Sequence, residues 1–116
     1  MPRLAITGLG ALLVAVTAGA AEQTSSVTGE VVDTFCYATM GAKGAAHKQC
    51  ALDCAKKGIP VGLLETGTEK LYVLLPSKDK TALPESVTSR MAETVTITGR
   101  VQSKGGSNFL TVESVK

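Results

Sequence analysis

The 116-residue sequence predicts a mainly β domain with small α content: a five-stranded Greek-key barrel carrying a cysteine-bearing helix after its first strand and a short helix between strands three and four. Three observations point there. Segments of alternating β-branched residues recur through the chain, Gly-containing turns separate two pairs of them, and one Ala-rich stretch is bounded by glycines.

The opening MPRLAITGLGALLVAVTAGAAEQ precedes this domain in character as well as position. Arg3 is a positive n-region, Leu4 to Val16 an apolar run, and Ala18-Gly19-Ala20 a small-residue cleavage pattern, so residues 1–21 are expected to be a signal peptide. The run is interrupted by Thr7, Gly8 and Gly10 and falls short of the roughly 20 apolar residues of a membrane span. The expected product is a single periplasmic or secreted domain, residues 22–116, with no integral membrane span.

From Ser26, SVTGEVVDTFCY reads as a long first strand that delivers Cys36 near its end, with Gly29 a bulge or close-packing point. The insertion covers about 38–60. In it Gly41 and Gly44 break the chain, and Ala45 to Lys57 reads as a helix closed by Gly58 and Pro60. VGLLE and KLYVLLP flank Thr66-Gly67-Thr68 as an antiparallel hairpin. Pro84 to Ala92 follows as a short helix, with Pro84 at its first position and Glu85 in its first turn. TVTITGRVQ and NFLTVESV then form a last hairpin around Gly105-Gly106.

That element order matches an OB-fold. TVTITGRVQSKGGSNFLTVESV, with the opening SVTGEVVD, resembles the closing and opening strands of exported bacterial OB-like domains, which implies the partly open Greek-key barrel. GEVVDTFCY followed by HKQCALDCAKKGIPVGLLE is similar to a group of small exported bacterial proteins of unassigned function, a resemblance that implies no activity. The cysteine-bearing insertion is the departure from the OB pattern.

Composition removes some functions. Without Arg3 the formal charge falls from +2 to +1, and two Phe, two Tyr and no Trp leave few stacking platforms, so no nucleic-acid partner is expected. The sequence shows neither a Ser/His/Asp pattern nor a phosphate-cradling Gly motif, so binding is expected rather than catalysis.

The chemistry concentrates in HKQCALDC. His47, Cys50 and Cys54 fall at i, i+3 and i+7, on one stripe of a helix, and Cys36 lies just upstream. On a regular helix i and i+7 stand about 10 Å apart along the axis, too far to share one ion. The objection lifts if the helix begins after His47, freeing the imidazole to join Cys50, Cys54 and Cys36 in a zinc or copper site. The alternative is a disulfide from Cys36 to Cys50 or Cys54, leaving one thiol in a structural module that binds another exported protein. A thiol-reactive role is the third reading. Asp33 and Asp53 read as solvated acids, with orientation of His47 as their other role. Met40 reads as an apolar plug rather than a copper ligand, and Tyr37 and Tyr72 as core or rim packing.

Overall fold

The computed structural model describes Gly8, residues 10–13 and residues 24–116, so the expected signal segment lies almost wholly outside the described residues. Five strands close a barrel: β1 (Thr24–Asp33), β2 (Val61–Glu65), β3 (Leu71–Leu75), β4 (Thr94–Lys104) and β5 (Ser107–Val115), in the order β1-β2-β3-β5-β4. Three helices accompany them: α1 (Thr34–Met40), α2 (Lys48–Lys56), which follows a 3-10 turn at Ala45–His47, and α3 (Glu85–Thr88). The five-stranded barrel with a helical insertion after strand one and a short helix between strands three and four is therefore the observed architecture.

Closure depends on β1, which pairs antiparallel with β4 over Thr24 to Glu30 and with β2 over Gly29 to Asp33. At Gly29, where the two ladders overlap, a Cβ would stand 2.2 Å from the Leu64 carbonyl oxygen, which makes this glycine a close-packing point. The predicted hairpins are both present, β2 with β3 and β4 with β5, and Gly105 and Gly106 both take positive φ in the tight turn of the second. A parallel pairing of β3 with β5 completes the circle. Inward residues of every strand, among them Val31, Leu63, Leu74, Ile97 and Leu110, fill the interior. Val87 and Met91, both fully buried, pack into the same core. Tyr72 belongs to it as well, in keeping with a packing role.

Three boundaries differ from expectation, one being the insertion helix, which begins at Lys48 after a 3-10 turn rather than at Ala45. The first strand stops at Asp33 and does not carry Cys36. The Asp33 side chain accepts a 2.8 Å hydrogen bond from the Cys36 backbone N–H, capping a helix that Gly41 ends in the left-handed conformation. The short helix after Pro84 is one turn, Glu85–Thr88, because Ser89 to Glu93 turn back to bond β1 through Ala92 N–H to Val31 O and Val31 N–H to Glu93 O. Met40, at the end of α1, is 67% exposed and so is no apolar plug.

The insertion helix ends as its sequence predicts. Gly58 N–H donates to Ala55 O and Ile59 N–H to Cys54 O, with Gly58 at φ +90°, the paired bonds of a Schellman close. Ala51 is buried against the barrel, and Leu52 and Ala55 pack beside it. The Lys48 ammonium pairs with Glu93, fastening the start of α2 to the segment before β4, and this hydrogen bond holds the Glu93 carboxyl below its ordinary range.

Candidate metal centre

Four donors from three local structures meet where the insertion lies on β1. Cys36 comes from the first turn of α1, held there by the Asp33 cap. His47 closes the 3-10 turn, whose start is anchored by Gly44 N–H donating to Glu30 Oε2 at 2.7 Å. Cys50 and Cys54 stand one turn apart on α2. The helix thus begins after His47, which is the geometry that lets the imidazole leave the helical stripe. The Cys36 partner arrives from a helix rather than a strand end.

Two overlapping groups result. One ligand atom each from Cys36, His47 and Cys50 lie within 4.8 Å of one another, and so do those of Asp33, Cys36 and Cys54. Cys36 belongs to both, and Cys54 joins the cluster through it. Ligands around a tetrahedral zinc stand about 3.3–3.8 Å apart, given bond lengths of about 2.0–2.3 Å, so the donors of each group must draw together to hold an ion. Three thiols and one imidazole suit zinc, and the thiols suit copper(I) equally.

Asp33 corrects the sequence reading. Its side chain is fully buried, and its second oxygen stands 2.9 Å from His47 Nε2. Burial raises its pKa, but the bonds from Cys36 N–H and His47 outweigh burial and leave it below the ordinary value. Asp33 is therefore a carboxylate at neutral pH and accepts from Nε2–H, which leaves Nδ1 as the nitrogen with a free lone pair. With both oxygens engaged, Asp33 orients a ligand rather than acting as one. Asp53, in contrast, is exposed and bonds Gln49, as a solvated acid does.

The Cys36 and Cys54 thiols are protonated in the absence of a cation. Burial first, and then the neighbouring Asp33 carboxylate, pushes the Cys36 thiol up to about 12, and the same two causes raise Cys54. A nucleophilic cysteine needs the opposite shift, which neither Cys36 nor Cys54 has. A soft cation must displace these protons, and metal affinity rises with pH accordingly. The disulfide of the alternative reading is not formed: all three cysteines are free.

The same carboxylate sets an acid limit on the fold. Because the folded pKa of Asp33 lies below the unfolded one, its contribution is fully present above about pH 4 and is lost as pH falls through the folded value. Asp33→Asn removes that part of the slope. Urea midpoints of the two proteins measured from neutral pH downward converge in acid; curves that stay parallel throughout would refute the assignment.

Beside Cys50 and Cys54 lies an open hollow of about 370 Å3, lined by Phe35, Asp53, Lys57 and Ile59. A larger groove of about 760 Å3 runs along the other side of α2 toward α3, with Lys56 and Glu85 its only charged residues and no thiol or imidazole in its wall. Among the described residues no helix is long and apolar enough to cross a membrane. No family model, curated protein or solved structure matches this chain.

Proposed function

We propose that this chain is an exported binding protein of OB-like architecture that holds one soft transition metal ion, zinc or copper, through Cys36, His47, Cys50 and Cys54, as a carrier or accessory subunit. The observation that carries the reading is the convergence of all three cysteines and the one histidine of the chain on the junction of β1, α1 and α2, with ligand atoms of Cys36, His47 and Cys50 within 4.8 Å of one another and Cys54 within the same distance of Cys36 and Asp33. Export is supported by the signal-like opening of the sequence, and a partner would be another exported protein that gives or takes the ion. The bond of His47 to Asp33 supports the reading further, since metal-bound histidines commonly bond an outer carboxylate.

Native mass spectrometry of the chain isolated without chelator, with alkylation before and after reduction, tests it. One bound zinc or copper with three alkylatable thiols is expected. A metal-free mass two hydrogens lighter with one alkylatable thiol would replace the reading by a disulfide-stapled module. His47→Ala is expected to weaken zinc binding about a hundredfold, roughly a quarter of the ~10–16 kcal/mol of a four-ligand site. Competition with a chromogenic chelator measures the change, and an unaltered affinity removes His47 from the site.

A further inference from the structure

The donors are unequally exposed. Cys36 is buried at 4% exposure and the Asp33 side chain is fully enclosed, whereas Cys54 is half-buried and Cys50 exposed. The cluster therefore has a closed floor, made by β1 and α1, and an open rim, made by α2.

The open side is also shaped. Cys50 and Cys54 form part of the wall of the 370 Å3 hollow, and neither Cys36 nor His47 lines it. Phe35, 57% exposed, and Ile59 give that hollow apolar walls, and Asp53 and Lys57 of the same lining carry opposite charges. A small thiol fits the space.

We propose that an ion held at this site leaves by associative ligand exchange, an incoming thiol entering the hollow and replacing Cys50 while Cys36 stays bound. This rests on the metal-binding reading above. In the step the incoming S–H gives its proton to the Cys50 sulfur, the metal–sulfur bond to the newcomer forms and that to Cys50 breaks, with no change of oxidation state. Repetition at Cys54 leaves the ion on the acceptor thiolates and the floor ligands, and a third thiol then gives its proton to the Cys36 sulfur as the bonds to Cys36 and His47 break, so the ion leaves on the acceptor.

The test uses the full chain loaded with zinc(II), its stoichiometry established first. Zinc release is then followed with a chromogenic indicator at increasing dithiothreitol, and in parallel with a two-cysteine peptide at equal thiol concentration. Release in proportion to thiol concentration is expected in at least one arm, and the faster arm tells whether the natural acceptor is a small thiol or a protein. Asp53→Trp, a change on the exposed face of α2 that fills the hollow, is expected to slow release about tenfold at unchanged zinc affinity. A rate independent of thiol concentration in both arms, with zinc bound one to one, overturns the exchange route and leaves metal binding intact. A chain that takes up no zinc(II) or copper(I) overturns both.

Discussion

Cys36→Ser lowers zinc affinity about a thousandfold, the largest loss expected of any single substitution at the site. Cys36 is the donor common to both ligand groups. Losing it removes about 4 kcal/mol of a ~10–16 kcal/mol binding energy, and each 1.4 kcal/mol is a factor of about ten. The fold should survive, because serine is close in size and its hydroxyl can donate to the Asp33 carboxylate beside it. Chelator competition reads the affinity and a urea titration of the metal-free protein reads the fold. Zinc binding that persists within about tenfold of the original would place the ion elsewhere.

Gly99→Ala destabilises the barrel by about 3 kcal/mol or more, in a domain whose whole stability is on the order of 5–15 kcal/mol. Gly99 is paired with Ser25 of β1 and Val112 of β5, at the register shift between Thr98 and Gly99. An added Cβ there would lie 1.6 Å from the Thr111 carbonyl oxygen and 2.8 Å from its carbon. These are backbone atoms of a closed ladder, so relief requires β5 itself to move. Gly67→Ala is the control: its φ is +90° but nothing lies within 4 Å of the new methyl, and the cost is only the strain of about 1 kcal/mol. Chemical denaturation of both variants should separate them clearly. A Gly99→Ala protein as stable as Gly67→Ala would show that the strands are not held as closely as described.

The barrel was legible because its strands alternate β-branched residues and its hairpins carry their own turn chemistry, Thr66-Gly67-Thr68 in one and Gly105-Gly106 in the other. The insertion helix, expected over Ala45 to Lys57, was legible from its Ala-rich composition and its Gly58 stop, but its first three residues form a 3-10 turn and the α-helix runs Lys48–Lys56. Helix α1 was not. Thr34, Phe35 and Tyr37 are residues that favour strands, and they continue the pattern of Val31 and Val32. The competing signal was Asp33 three residues before Cys36, an N-cap spacing, followed by Gly41 as a stop. The thiols and imidazole stood out through density in the sequence. Asp33 did not, because its burial and its bond to His47 are made only when the 3-10 turn folds back on β1, across 14 residues of chain.

Asp33 also pairs with Val61 in the β1–β2 ladder, so one residue ends a strand, starts a helix and fixes the imidazole. The floor of the cluster is thereby ordered when the barrel closes, before any ion arrives. Binding then costs conformational entropy chiefly in the half-exposed side chains of α2, which is the sense in which the site is preorganised. If the proposed ion binds, amide exchange is expected to slow along Lys48–Lys56 and not in the strands.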